Sequence, residues 1–224
     1  MKSLFAIAIT LFAFTFAYAQ NEQAPIVEKD IKYKDWKLRD SRTDAAVDLR
    51  GLLENKRLAI VVYYAPWCHN WQHDAPMVER LYEKYRDAGL QVIGVSEYDL
   101  LANARTNLDE FKIKFPAVYE SQSRDDREKT DHHGYRTSTG DSRKWGSPYY
   151  VFIDTAKVEK KGDTLVKNTF VINGEMIEGE GENFIRQHLG LKPLDPATAK
   201  KDKNGVEVCD PDKPSVPALK KPNR

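Results

Sequence analysis

Two apolar segments separated by an amphipathic one constrain the fold of this chain most. Residues 57–64 (RLAIVVYY) and 90–96 (LQVIGVS) are nearly continuous apolar runs rich in β-branched residues, which is typical of strands buried on both faces. Between them, residues 69–87 place apolar side chains three and four positions apart, as an amphipathic helix does. This order predicts a mixed sheet of strands covered by helices.

The rest of the chain extends the same pattern to a complete α/β domain. A second helix is predicted at 100–114, and a short strand carrying a proline at 115–119. The polar segment 121–147 is predicted to be an inserted loop with one short helix. Further elements are a strand at 149–154, a strand at 169–177 punctuated by Asn173-Gly174, a closing helix at 182–189, and an N-terminal strand pair from 33–38 and 47–49.

Both ends of the chain differ in composition from this domain. Residues 4–17 form an apolar run of the length of a signal-peptide core, and Ala17-Tyr18-Ala19 has the small-x-small form of a cleavage site. We therefore predict a signal peptide at 1–19, an exported protein, periplasmic or secreted, and no membrane span after cleavage. Residues 193–224 hold six of the 11 prolines together with recurring lysines, which predicts a flexible tail. The domain between them is predicted at 20–192.

Composition removes several functional classes. The 35 Lys and Arg balance 34 Asp and Glu, so we expect no nucleic-acid partner. Two cysteines are too few for a disulfide-rich scaffold or a four-cysteine zinc site. We expect no cofactor. Export would place both cysteines where disulfides persist.

Cys68 is the strongest candidate for a reactive group. It lies where the first buried strand ends and the amphipathic helix begins. Unpaired N–H groups and the partial positive charge of a helix N-terminus favour a thiolate over a thiol. The adjacent His69, when protonated, would favour the thiolate further. The alternative is that Cys68 is a small buried apolar residue.

The residues around Cys68 resemble a known family. Trp67-Cys68 after a buried strand, with Pro76 eight residues beyond the cysteine, is similar to the thioredoxin-like active-site pattern. Ser147-Pro148 before the strand at 149–154 resembles the cis-proline of that family. Together with the predicted N-terminal strand pair, the order looks most like exported TlpA-like thiol-disulfide oxidoreductases, over roughly residues 34–189. The resemblance implies a thioredoxin-like α/β fold, thiol-disulfide exchange and a cis-proline that holds a partner's backbone.

The chain departs from the family at Trp71, where the second active-site cysteine would stand. Three interpretations follow. Cys68 acts as a monothiol that an external thiol reductant releases, or Cys209 in the tail resolves or pairs with it, or the fold is a redox-inactive binding module. Protein or small-molecule thiols and disulfides are the expected partners. We predict that Cys68 is free in the resting protein.

Several further side chains are candidates for the site. Substrate contacts are assigned to Trp67, His69, Trp71, Ser147 and Pro148. Glu97, after the second strand, is a candidate proton acceptor, although a solvated carboxylate at the strand end is the favoured interpretation. An aromatic groove is a further candidate, from Trp67, Trp71, Trp145, Tyr149 and Tyr150.

Metal binding is the least favoured interpretation. Cys68, His69 and His73 offer three ligands but no identifiable fourth. The His132-His133 pair is expected to be solvated in the loop. We therefore predict no metal site.

Overall fold

A computed structural model describes residues 22–194 of the chain. The predicted signal peptide, nearly all of the predicted tail and Cys209 lie outside these residues. Within them, no helix combines the length and the apolar character needed to cross a bilayer.

The described residues form ten strands and five α-helices. The strands are β1 Gln23–Ala24, β2 Val27–Lys34, β3 Lys37–Asp40, β4 Ala46–Asp48, β5 Leu58–Tyr64, β6 Leu90–Ser96, β7 Ala117–Tyr119, β8 Tyr149–Asp154, β9 Thr164–Ile172 and β10 Glu175–Met176. The helices are α1 Leu49–Leu53, α2 His69–Tyr85, α3 Leu101–Glu110, α4 Asp131–Ser138 and α5 Glu178–His188.

Eight of the strands form one mixed sheet in the order β2-β9-β8-β5-β6-β7-β3-β4. β5, β6 and β7 run parallel, and β8 continues the sheet antiparallel to β5. Strands β1 and β10 form a separate parallel pair. Because β5 and β6 are parallel, their carboxyl ends meet at one edge, where the chain enters the segment that carries Cys68.

The two faces of the sheet carry separate hydrophobic cores. All seven residues of β5 are buried, and they alternate between the faces as a strand requires. Ile60 and Val62 face a core that includes side chains of α2, α3 and α5. Val61 and Tyr63 face a second core that includes side chains of α1 and α4. The prediction of a thioredoxin-like mixed sheet flanked by helices is confirmed.

Four predicted elements differ from the structure by more than two residues. The helix expected at 100–114 ends at Glu110. The expected strand at 33–38 is two strands, because the chain leaves β2 at one edge of the sheet and enters β3 near the other, where β3 pairs with β4. The expected strand at 169–177 begins earlier, at Thr164, and divides at Asn173-Gly174 into β9 and β10. The closing helix begins at Glu178, four residues before the prediction.

The segment expected to be a polar loop is more ordered than its composition indicates. A 3₁₀ helix at Arg124–Lys129 is followed by α4, which Thr130 caps by accepting a hydrogen bond from the backbone N–H of His133. The helix turns Tyr135 and His132 into the protein, where both are buried. The expectation that both histidines are solvated is therefore wrong for His132.

Candidate active site

Cys68 is the N-cap residue of α2 and makes no side-chain capping hydrogen bond. Its backbone N–H donates to the Ala65 carbonyl at 2.9 Å, which closes the turn between β5 and α2. The helix begins at His69, so the sulfur lies at the positive end of a helix of 17 residues. Cys68 is fully buried.

The sulfur of Cys68 is disulfide-bonded. The expectation of a free thiol at rest is therefore wrong. The sequence contains one other cysteine, Cys209, which lies outside the described residues. The expectation failed because the composition around Cys209 predicts flexibility, and flexibility does not prevent a cysteine from pairing: a longer loop costs little more to close.

The peptide bond between Ser147 and Pro148 is cis, as predicted. Ser147 lies directly against the cysteine segment: its Oγ accepts a hydrogen bond from the Ala65 backbone N–H at 2.9 Å. The Ser147 carbonyl oxygen is 3.2 Å from the Cys68 sulfur. In the disulfide this is a contact only, whereas the proton of a reduced thiol can be donated to that carbonyl.

Arg143 binds the backbone of the segment around Ser147-Pro148, and sequence analysis did not identify it. Its guanidinium donates to the Pro148 carbonyl at 2.9 Å and forms an ion pair with Asp141 at 2.7 Å. The same side chain reaches Glu22 at 3.2 Å, which ties the first described residue to the proline loop. Asp141 and Pro148 are close to Arg143 in the sequence, whereas Glu22 lies 121 residues away, and no sequence pattern joins the three.

Trp67 and Trp145 form an aromatic rim beside the cysteine. Their rings meet edge to face with centroids 5.3 Å apart. Arg124 lies over the ring of Trp67 at 5.2 Å, and Arg127 and Lys144 each lie 5.4 Å from the centroid of Trp145. Three cations on two indole rings make this rim a cation–π cluster.

The other aromatic candidates belong to the interior. Tyr149 and Tyr150 are fully buried on opposite faces of the sheet, so they do not line one groove. Trp71 is also fully buried: its ring stacks on Tyr64 at 4.4 Å and its N–H donates to the Asn107 side chain at 2.9 Å. Its predicted contact with substrate remains a prediction, as does that of the half-buried His69.

Glu97 is fully buried at the carboxyl end of β6, so the expectation of a solvated strand end is wrong. It accepts a hydrogen bond from Ser121 Oγ. Burial raises the pKa of Glu97 well above its ordinary 4.5, and the nearby Glu120 carboxylate raises it further. Glu97 precedes Tyr98, whose backbone carbonyl accepts a hydrogen bond from the Trp67 indole at 3.4 Å.

His132 links the aromatic interior to the proline loop. One ring nitrogen, Nδ1, lies 2.8 Å from the Tyr98 hydroxyl, and Nε2 lies 3.1 Å from the Gly146 carbonyl. The imidazole also stacks on Tyr63, with centroids 5.0 Å apart. The sequence pair His132-His133 was noticed, but its placement depends on α4.

Cys68, His69 and His73, the residues considered as metal ligands, do not form one group of ligands in the described part of the chain. Neither Cys68 nor His69 joins a group of potential ligands within residues 22–194. His73 instead converges with Asp74 and Glu175, with one ligand atom from each lying within 4.8 Å of the others.

Two solved structures share this fold. A thiol:disulfide interchange protein of the thioredoxin family from Chlorobium tepidum TLS is 15% identical, with a TM-score of 0.51, over 72% of this chain and 98% of that protein. A secreted thiol-disulfide isomerase from Corynebacterium glutamicum is 13% identical, also at 0.51, over 74% and 92%. At these identities the likeness establishes the fold. No protein-family model and no curated protein matches the sequence.

Proposed function

We propose that this chain is an exported thioredoxin-fold protein that performs thiol-disulfide exchange through Cys68. The observation that carries the proposal is the position of the Cys68 sulfur. It lies at the N-cap of α2 and 3.2 Å from the carbonyl oxygen of Ser147, which precedes the cis-proline Pro148. The helix N-terminus favours the thiolate, which is the form that attacks disulfides. The two structural neighbours, a thiol:disulfide interchange protein and a thiol-disulfide isomerase, are named for the same chemistry.

In the proposed reaction, the Cys68 thiolate attacks one sulfur of a substrate disulfide. A new S–S bond forms to Cys68 as the substrate bond breaks, and the departing thiolate takes a proton. Buried Glu97 is the proposed proton reservoir, and Ser147-Pro148 the proposed contact for the partner's backbone. The mixed disulfide then needs a second thiol, which Trp71 does not supply.

We propose Cys209 as that second thiol, with an external thiol reductant completing the cycle. Cys68 is already disulfide-bonded, and Cys209 is the other cysteine of the sequence. In the sequence, Glu207, Asp210 and Asp212 flank it, opposite in sign to the cations on the Trp67–Trp145 rim. Attraction between them would favour return of the tail to the site.

The test compares Cys68→Ser and Cys209→Ser in the reduction of a disulfide-bonded model protein by a thiol reductant. Cys68→Ser should abolish turnover. Cys209→Ser should react once and accumulate a mixed disulfide, unless excess reductant is supplied. In that variant, alkylation of Cys68 as a function of pH should show a thiolate already present below pH ~7. An unreactive thiol that forms no mixed disulfide would identify a redox-inactive binding module instead.

A salt series tests the role of the tail separately. After reduction and mild reoxidation, closure of the Cys68–Cys209 disulfide should slow as ionic strength rises, because salt screens exposed charges. The variant with Glu207→Gln, Asp210→Asn and Asp212→Asn should close slowly and show little salt dependence. Export is tested by the N-terminus of the protein recovered outside the cytoplasm, which should be Gln20.

A further inference from the structure

Three ionisable side chains meet beside α2, in a place that disulfide exchange does not use. His73 Nδ1 lies 3.4 Å from Glu175 Oε2 and 3.7 Å from Asp74 Oδ1. The two carboxylates are buried, whereas the imidazole is 37% exposed. The cluster joins the helix that follows Cys68 to the short strand β10.

Glu175 provides the second, independent observation. Its side chain is fully buried, yet neither carboxylate oxygen has a hydrogen-bond partner. A buried carboxylate without donors carries a large desolvation cost. Asp74 differs, because its Oδ2 accepts from the Tyr150 hydroxyl and from the Met176 backbone N–H. Its other oxygen, Oδ1, lies 3.7 Å from His73 Nδ1.

Among residues 22–194, the charges of the three side chains do not balance. One imidazole faces two carboxylates, so with the carboxylates ionised these three side chains carry a net negative charge even when His73 is protonated. Arg143 is engaged by Asp141 and Glu22. Arg80, at the edge of the neighbouring cavity, is paired with Glu178 at 2.9 Å. A divalent cation would supply the missing positive charge.

We propose that His73, Asp74 and Glu175 bind a divalent transition-metal ion of the zinc type. Ligands about 2.0–2.1 Å from a tetrahedral zinc lie about 3.3–3.5 Å from each other. The two separations from His73 are 3.4 and 3.7 Å, and all three ligand atoms lie within 4.8 Å of one another. One imidazole nitrogen and two carboxylate oxygens are all zinc ligands. A cavity of about 190 Å³ lined by His73, Asp74 and Met77 leads to the cluster and gives room for a water as fourth ligand.

The ion would have a structural effect. It would fasten α2 to β10, and through the Asp74–Tyr150 hydrogen bond to the strand that follows Pro148. This role is independent of the proposed disulfide exchange, since no ligand is a cysteine.

The test uses the mature full-length protein with its disulfide intact and any remaining thiol alkylated, so that sulfur cannot bind the metal. Calorimetric titration with Zn²⁺ should show one site per chain, and Co²⁺ should give the visible absorption of a tetrahedral site. His73→Ala and Glu175→Gln should each weaken Zn²⁺ binding by about tenfold or more. His133→Ala and Glu180→Gln, which lie outside the cavity lining, are the matched controls and should bind as the native protein does.

Thermal unfolding separates loss of the site from loss of the fold. Glu175→Gln should unfold in EDTA at a temperature no lower than the native protein, because the change removes a buried charge with a large desolvation cost, and Zn²⁺ should no longer raise that temperature. Absence of a stoichiometric site in the native protein would overturn the proposal. Equal affinity of native protein, His73→Ala and Glu175→Gln would overturn it as well, since the bound ion would then lie elsewhere.

Discussion

His132 has one tautomer that satisfies both of its ring nitrogens. The Gly146 carbonyl only accepts hydrogen bonds, so Nε2 must carry the proton and Nδ1 must accept from the Tyr98 hydroxyl. Burial lowers the pKa of His132 well below 6.5, and the Arg136 cation lowers it further. The imidazole is therefore neutral in the folded protein at physiological pH, and it holds the residue that precedes Ser147.

This neutral state predicts how stability depends on pH. The unfolded chain takes up a proton near pH 6.5, whereas folded His132 does not, so the free energy of unfolding falls as pH drops below 6.5. His132→Gln should be less stable at pH 7 by about 1–3 kcal/mol, through lost hydrogen bonds. Urea unfolding at pH 7 and pH 5 should show a smaller further loss for this variant than for the native protein. Equal losses would mean that another group dominates.

Because Trp71 is buried, restoring the two-cysteine motif at this position is expected to lower the stability of the fold. Replacing this fully buried ring removes its stack on Tyr64 and leaves Asn107 without its indole donor. We expect Trp71→Cys to lose about 3–5 kcal/mol, and Trp71→Phe, which keeps a ring, to lose less. In the Cys209→Ser background, the new thiol lies three residues from Cys68 and should form a disulfide with it under mild oxidation, giving multiple turnovers. A folded variant in which the two cysteines stay unpaired would contradict this geometry of the helix start.

At the scale of elements, the division between β9 and β10 depends on a close backbone approach. A Cβ on Gly174 would lie 2.0 Å from the Glu22 carbonyl oxygen, which accepts from the Glu175 N–H in the β1–β10 pair. Gly174→Ala must therefore displace β1 or β10, and we expect a loss of about 1–3 kcal/mol. Gly134→Ala in α4 is the control, because nothing lies within 4 Å of its added Cβ and alanine favours helix. Equal free energies of unfolding for the two variants would show that β1 and β10 accommodate the added Cβ without loss of stability.

How well each element could be predicted depends on whether the residues that determine it are close together in the sequence. Strands β5, β6 and β8 were predicted within one residue because continuous apolar runs report burial on both faces. Cys68 was found because it follows such a strand, whereas the cis-proline was expected from the family resemblance of Ser147-Pro148. β2 was missed, and α4 was expected only as a short helix within a loop, because the contacts that hold them are remote in sequence: the backbone N–H of Lys34 in β2 donates to the Tyr135 hydroxyl in α4, 101 residues away. A pattern of neighbouring residues cannot reveal contacts between residues so far apart in the sequence.

At the scale of the whole molecule, the cysteine pair would connect the domain to residues beyond its last described helix. Cys68 and Cys209 are 141 residues apart in the sequence, so a bond between them closes a loop that contains four of the eight strands of the sheet, β6 to β9. A cross-link of this size reduces the entropy of the unfolded chain far more than that of the folded protein. The fold would then be more stable oxidised than reduced.

A thermodynamic cycle tests this coupling of the tail to the domain. Reduction should lower the free energy of unfolding of the native protein by about 2–5 kcal/mol, measured by urea denaturation with and without a thiol reductant. Cys209→Ser should match the reduced native protein and be insensitive to reductant, and so should Cys68→Ser, because either change removes the same bond. If Cys68 instead pairs with a second molecule, Cys209→Ser will still respond to reductant and its oxidised form will run as a mixed disulfide of higher mass. That outcome would assign Cys68 an external partner and leave the tail without a part in stability.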